Sequence, residues 1–165
     1  VGGGDGSLLV ILLQANSTMK GVLFDLPHVA ERAKQRIADA GLTGRCEVMA
    51  GDALTSVPGG GDAYILSRVI HDWDDDHAVT ILKNCHRAMT EQGKLLLIER
   101  VLPARVESSS AAQALVLSDL NMMVMNGGRE RTEAEYRALF EVASFRLTKV
   151  TPTQSAMSVI EGARA

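Results

Sequence analysis

Val1-Gly2-Gly3-Gly4-Asp5-Gly6 and Gly21-Val22-Leu23-Phe24-Asp25 bracket a run, Ser7 to Ala15, that is apolar nearly all round. Glycines allow a backbone to turn sharply into a helix and to approach a ligand closely. The second segment is a short apolar run closed by an acid, the pattern of a buried strand. Asp25 follows Gly4 by 21 positions. An acid about 20 residues past a glycine loop can hold both hydroxyls of a ribose. Loop and acid together read as a binder of an adenosine-containing cofactor.

The same alternation continues outward. Cys46 to Ala50, Ala63 to Ile70 and Lys94 to Glu99 are further near-continuous apolar runs, suited to strands buried on both faces of a parallel sheet. Helical patterns separate them. Ser7 to Ala15 predicts a buried helix. Val29 to Ala40 is amphipathic and stops at Gly41, a C-terminal cap. His77 to Met89 places Ala78, Ile81, Leu82 and Cys85 on one face. Ala111 to Met125 predicts one longer helix, and Val106 to Ala112 either a mobile loop or its entrance. Thr132-Glu133-Ala134-Glu135 is a capping box that starts a helix near Glu133 and carries it to about Ala143. Phe145 to Thr151 and Met157 to Glu161 then read as strands joined by a turn around Pro152, an antiparallel pair at one edge. The order predicts a doubly wound, mostly parallel α/β sheet with an antiparallel C-terminal pair. Only Val1 precedes the glycines, where a strand normally stands, so the first strand is expected to be truncated.

Length and composition bound the function. The chain has 165 residues, 46% hydrophobic and 22% charged, with a net charge of −3, which fits one soluble globular domain. That balance gives no global pull toward nucleic acid or anionic membrane. The most apolar run, Leu8 to Leu13, is far short of a membrane span. Cys46 and Cys85 fit neither a metal spacing nor a disulfide framework, which points to a reducing, cytoplasmic setting.

Ligands in open parallel sheets bind outside the carboxyl ends of the strands. Asp25, Asp52, His71 and Glu99 fall at four such ends. In His71-Asp72-Trp73-Asp74-Asp75-Asp76 the last three acids suit the N-terminus of the following helix, where its dipole favours negative charge. That leaves His71 and Trp73 to be explained. His77 and His86 lie on the helix and not at ligand spacing, so no metal is expected. A nicotinamide loop asks for glycine at the third position of G-x-G-x-x-G, which here is Ser7. The spacing Gly2-x-Gly4-x-Gly6 fits a methyltransferase loop better.

These residues carry a resemblance. Val1-Gly-Gly-Gly-Asp-Gly6, Phe24-Asp-Leu-Pro27, Gly51-Asp52, Ile70-His-Asp-Trp-Asp-Asp75, Leu97-Ile-Glu99 and Gly127-Gly-Arg-Glu-Arg-Thr132 occur in one order across nearly the whole chain. In that order they resemble the catalytic domain of the S-adenosylmethionine-dependent O-methyltransferases. That family includes plant caffeic acid and flavonoid enzymes and bacterial polyketide-tailoring enzymes. The resemblance implies a Rossmann-like class I methyltransferase sheet and an S-adenosyl-L-methionine-binding catalytic domain over residues 1–165. Gly2 and Gly4 are then expected along the methionine part of the cofactor, Asp25 on the ribose, Leu26 beside the adenine, and Asp52 and Ala53 flanking that ring. Arg68 takes the place of a basic residue near the cofactor. His71 matches the catalytic base, Glu99 and Glu130 the acids that flank it, and Met122 and Asn126 fall where the acceptor pocket is lined. Met122, Met123 and Met125 could also line an apolar pocket.

The resemblance further implies an aromatic small-molecule acceptor and a homodimer for the full-length protein. That dimer is formed by an N-terminal helical domain, expected to be absent from these residues. Asp5 stands where the family usually has Thr; an acid so near the cofactor's carboxylate must point away or have its charge offset. A phenol has a pKa near 10, so a histidine base is needed to deprotonate it at neutral pH. Two alternatives stand beside this reading: a non-methylating relative that retains the cofactor, and an NAD(P)-dependent oxidoreductase.

Overall fold

The computed structural model describes residues 1–105 and 110–165. It divides into two compact units, Val1–Gly59 and Gly60–Ala165.

In the first unit the order is α1 (Ser7–Ala15), β1 (Gly21–Asp25), α2 (Pro27–Asp39) and β2 (Cys46–Ala50). β1 and β2 pair in parallel, from Gly21 opposite Cys46 to Asp25 opposite Ala50. The core joins Leu13, Leu23, Ala33, Ile37, Leu42 and Cys46. α2 opens on Pro27, whose fixed φ and missing N–H suit a first helical position. It closes on Gly41 at φ 68°, with the Gly41 N–H on the Ala38 carbonyl and the Leu42 N–H on the Ile37 carbonyl. That is a Schellman cap, and Leu42 then drops into the core. Arg45 satisfies the other helix end: its guanidinium donates to the carbonyls of Leu13, Asn16 and Met19.

The second unit runs β3 (Ala63–Ser67), a 3-10 turn (Ile70–Asp72), α3 (Asp75–Ala88), β4 (Lys94–Glu99) and β5 (Val101–Leu102). It continues with α4 (Ser110–Asn126), β6 (Arg131–Thr132), α5 (Glu133–Val142), β7 (Phe145–Pro152) and β8 (Ser158–Arg164). Its main sheet has the order β3-β4-β8-β7, parallel between β3 and β4 and antiparallel beyond. β5 and β6 form a short parallel pair of their own. Leu66, Leu95, Leu97 and Ile160 of the sheet, Ile81 and Leu82 of α3, and Tyr136 and Phe140 of α5 are buried. Phe140 lies over Gly162, where a Cβ would come within 2.7 Å of its ring, so that strand position must be glycine for the helix to pack.

The alternation of elements and the antiparallel C-terminal pair follow the sequence reading, with four differences. The strand expected over Ala63 to Ile70 ends at Ser67, because Arg68 turns to φ 57° and the chain enters the 3-10 turn. Of the C-terminal pair only β7 is an edge strand, since β8 pairs with β4 as well. Their turn lies after Pro152, closed by Thr153 N–H on the Met157 carbonyl. α1 is less buried than its composition suggests: Leu13 is fully enclosed while Ile11 is 63% exposed. Of the segment Val106 to Ala112, residues 106–109 lie outside the described residues, and Ser110 opens α4. Among the described residues no helix is long and apolar enough to cross a membrane.

The capping box of α5 is present in full: Thr132 Oγ1 accepts from Glu135 N–H, and the Glu135 carboxylate accepts from Thr132 N–H. Thr132→Ala removes the hydroxyl half and is expected to lower stability by about 1 kcal/mol. Urea unfolding should show a lower midpoint at unchanged slope; an unmoved midpoint would mean that the cap is redundant.

Candidate active site

The chemistry-bearing residues gather in two places, one in each unit. In the first unit the glycine loop is stitched to the end of β1. Gly3 N–H bonds the Phe24 carbonyl at 3.2 Å, and Gly6 N–H closes on Gly3. Gly2, Gly4 and Gly6 all have positive φ, which explains the glycines. Asp25 holds this loop in place: Oδ2 accepts from Gly4 N–H at 2.8 Å and Oδ1 from Leu26 N–H at 2.7 Å. A carboxylate has about four lone-pair sites, so each oxygen keeps one for a ligand hydroxyl. Gly51 N–H bonds the Asp25 carbonyl at 2.9 Å, which brings the β2 exit, with Asp52 and Ala53, beside Asp25. Gly51 has no alternative, because a Cβ there would lie 2.5 Å from the Phe24 ring.

This half-site fits the adenosyl cofactor implied by the sequence. The space beside the Gly4 Cα is open, so a ligand can lie against bare backbone. The Asp5 problem resolves as well. Its carboxylate forms an ion pair with Arg36 at 2.9 Å and accepts from the Ser7 N–H and hydroxyl. Those Ser7 bonds lead in holding its pKa below the usual range. The glycine loop with Gly2 and Gly4, the β1 end with Asp25 and Leu26, and the β2 exit with Asp52 and Ala53 thus all lie in the first unit; Arg68 belongs to the second.

In the second unit His71 sits in the 3-10 turn, 7% exposed, with Glu99 and Glu130 at 0% and 2%. The parallel pairing of β5 with β6 accounts for the meeting of the two acids. Val101 stands opposite Arg131, so Arg100 and Glu130 come side by side, with Glu99 one residue further back at the end of β4. His71 Nδ1 lies 3.6 Å from Glu99 Oε2 and 3.5 Å from Glu130 Oε1. Its other nitrogen, Nε2, is 3.6 Å from Asp72 Oδ1. Glu99 Oε1 accepts from the backbone N–H groups of Val69 and Ile70, at 3.0 and 2.9 Å. Glu130 Oε1 accepts from the Ser118 hydroxyl at 2.8 Å, and Arg100 bonds that hydroxyl in turn. Asp119 takes the Glu130 N–H. One imidazole nitrogen of His71 and one oxygen each of Glu99 and Glu130 lie within 4.8 Å of one another, a compact cluster of buried titratable groups.

Electrostatics follow from this burial. Burial pulls the His71 pKa down, but Glu130, Glu99 and Asp72 outweigh it and hold the imidazole above its ordinary value. Burial pushes the Glu99 carboxyl up to about 7 against the pull of His71 and the two backbone donors. Burial also opposes ionisation of Glu130, yet His71, Ser118 and Arg100 keep it below the usual carboxylate range. The arrangement is a histidine whose protonation is favoured by its neighbours, beside one acid held below the usual range and one raised to about 7.

His71 opens onto a cavity of about 320 Å³ lined also by Arg68, Arg100, Asn121, Met122 and Met157. Met122 lines this cavity, while Met123 and Met125 are 56% and 70% exposed. Asn126 does not line this cavity; its amide donates to Asp72 Oδ1 at 2.6 Å. A larger groove of about 530 Å³ runs past Asp75, Glu135 and Val142 and contains none of these groups. The sequence reading missed Arg100, Ser118 and Arg131. Arg131 stands within the quoted segment Gly127 to Thr132, but its neighbour Glu130 alone drew attention there.

Comparison with known proteins bears on both halves. Residues 1–146 match the family model described as O-methyltransferase domain. The phenazine O-methyltransferase PhzM of Lysobacter antibioticus is 44% identical over 98% of this chain and 46% of its own length. A caffeic acid 3-O-methyltransferase of Zinnia elegans is 40% identical over 88% of this chain and 39% of its own. The crystal structure of LaPhzM superposes with a TM-score of 0.93 at 43% identity, covering 100% of this chain and 48% of that one. NcsB1 from neocarzinostatin biosynthesis, solved with S-adenosylmethionine and 2-hydroxy-5-methyl naphthoic acid, gives 0.89 at 37%, covering 99% and 47%. The chain spans about half the length of the curated relatives it matches.

The linked titrations have a defined sign. Glu99 at about 7, against an ordinary 4.5, means that the folded chain holds a proton the unfolded chain releases, so stability falls as pH rises through that window. His71 acts in the same direction: its contribution is full below 6.5 and is lost as pH rises through its raised folded value. Glu130 opposes both, since its contribution is present above its ordinary value and lost as pH falls. Glu99→Gln is expected to flatten the decline in stability between about pH 5 and pH 7. Denaturant midpoints across that range provide the check, and an unaltered slope would remove Glu99 as the titrating group.

Proposed function

The chain belongs to the O-methyltransferase domain family, and from that premise we propose that residues 1–165 are the S-adenosyl-L-methionine-binding catalytic domain of an O-methyltransferase. Its fold is the α/β class I architecture of that family. The acceptor is an aromatic hydroxyl, most simply a phenol, and His71 is the general base. The observation that carries the reading is His71 Nδ1 set between two buried carboxylates while Nε2 is left for a substrate proton. Membership of this family sets aside the nicotinamide-dependent oxidoreductase.

When bound, the cofactor supplies a sulfonium methyl that is already a strong electrophile. The residues of this chain do the rest. Gly2 and Gly4 present backbone to the methionine part, Asp25 accepts from the ribose hydroxyls, and Leu26, Asp52 and Ala53 flank the adenine. Arg68, which takes the place of a basic residue in the family resemblance, lines the cavity onto which His71 opens. Glu99 and Glu130 fix the Nδ1–H tautomer, as a carboxylate does for any histidine base, and favour the imidazolium that forms. Nε2 then takes the acceptor proton as the oxygen–methyl bond forms. Met122 offers an adaptable apolar wall to a flat ring. Asn126 acts at one remove, by holding Asp72 beside Nε2. The aromatic ligand of NcsB1 and the phenazine enzyme PhzM support an aromatic acceptor. A homodimer for the full-length protein and a cytoplasmic location complete the proposal; the free thiols of Cys46 and Cys85 suit the latter.

His71→Ala is expected to lower transfer of labelled methyl to a phenolic panel by about 100-fold or more while S-adenosylhomocysteine affinity stays within about twofold. Asp25→Ala should instead abolish that binding in calorimetry. Full transfer by His71→Ala would remove His71 as base, and failure of the folded chain to bind S-adenosylhomocysteine would sink the cofactor assignment. Binding without transfer to any acceptor would favour the non-methylating relative.

A further inference from the structure

Arg131 is 0% exposed, and its guanidinium has five N–H donors in a rigid plane. All five are used on one object. Nη1 donates to the Ile70 carbonyl at 3.0 Å and to the Arg129 carbonyl at 3.3 Å. Nη2 donates to the Trp73 carbonyl at 2.8 Å and to Asp75 Oδ1 at 2.8 Å. Nε donates to the same Asp75 oxygen at 3.0 Å. Ile70 and Trp73 bracket His71, so one planar cation spans the turn that carries the base.

The backbone around it repeats the connection. Arg129 N–H donates to the His71 carbonyl at 2.9 Å. A Cβ on Gly128 would lie 2.0 Å from that same carbonyl oxygen, so the two segments touch main chain to main chain. Burying a charged guanidinium costs several kcal/mol unless it is paired and hydrogen-bonded. The complete set of partners meets that condition, but burial alone does not explain why every partner lies on the His71 turn, on the helix cap that follows it, or on the segment that carries Glu130.

We propose that Arg131 is a positioning residue for His71, holding the turn at the distance and orientation that set Nδ1 between Glu99 and Glu130. It does not touch the reacting atoms. The inference rests on the reading of His71 as the base. The groups that face the imidazole are Glu99 from β4, Glu130 from the segment before β6, and Asp72 from the turn itself, with Arg100 behind Glu130. Lysine keeps the charge of Arg131 and loses the fork, so Arg131→Lys separates geometry from electrostatics.

The test reads the imidazole directly. Histidine-labelled chain is titrated by NMR, with His71→Ala assigning the resonance and His28 and His86 as internal references. In Arg131→Lys the His71 titration is expected to move down toward the ordinary imidazole value while His28 and His86 stay in place. In full-length enzyme, kcat should fall by about 100-fold, the scale of a misplaced catalytic group, with S-adenosylhomocysteine affinity unchanged. In the His71→Ala background Arg131→Lys should cost no further rate, because the two act as one unit. Should Arg131→Lys fail to fold, Asp75→Asn keeps the arginine and weakens its anchor; it should shift His71 in the same direction by less. An unmoved His71 titration in a folded variant, or losses that multiply in the double variant, would overturn the proposal. Absence of methyl transfer from the unaltered enzyme would count against the function proposed above and leave the titration result to stand by itself.

Discussion

A carboxylate enclosed at the end of a strand must be matched by donors or give up its charge, and Glu99 does some of each. Its two bonds from Val69 and Ile70 N–H start the turn after β3, and its second oxygen faces His71. The backbone conformation that presents His71 and part of the electric environment around it thus come from one side chain. Arg68 in its left-handed conformation and the early end of β3 are parts of the same arrangement. A strand continued to Ile70 would have no backbone N–H groups free to meet that carboxylate.

The first unit uses an acid in a parallel way. Asp25 closes β1, holds the glycine loop through Gly4, and keeps lone pairs for a ligand. In each unit, then, a carboxylate at a strand's carboxyl end organises the loop that does the chemistry. The difference is burial. Asp25 is half-buried and remains available to hydroxyls, whereas Glu99 is enclosed and its influence reaches outward only through an imidazole.

Much of this was legible in the residues. Periodicity located every helix to within a few positions, and the Thr132–Glu135 box, the Gly41 cap and the acidic start of α3 were readable because each is a local rule. Asp25, His71, Glu99 and Glu130 were legible because strand ends and ordered motifs mark them. What escaped was what depends on partners distant in sequence. The five bonds of Arg131 reach back 56 to 61 positions to Ile70, Trp73 and Asp75, or lie two residues away at Arg129. Nothing at Arg131 itself announces them. The bond from the Asn126 amide to Asp72, 54 positions back, is of the same kind. The burial of α1 was overestimated because composition alone does not say which face has a partner.

The turn that carries His71 and the helix α4 are joined by hydrogen bonds, and the joint has a consequence for the cavity between them. The turn is fastened by the buried side chains of Arg131 and Glu99 and by main-chain contact with Arg129 and with Gly128, where there is no room for a side chain. α4 contributes Ser118, Asn121 and Met122 to the cavity and leaves Leu117, Val124 and Met125 largely exposed. Ser118, Asp119 and Asn126 of the same helix bond Glu130 and Asp72, so a shift of α4 reaches the acids around His71 as well as the wall of the cavity. The shape of the cavity and the charge beside the imidazole are therefore coupled through one helix.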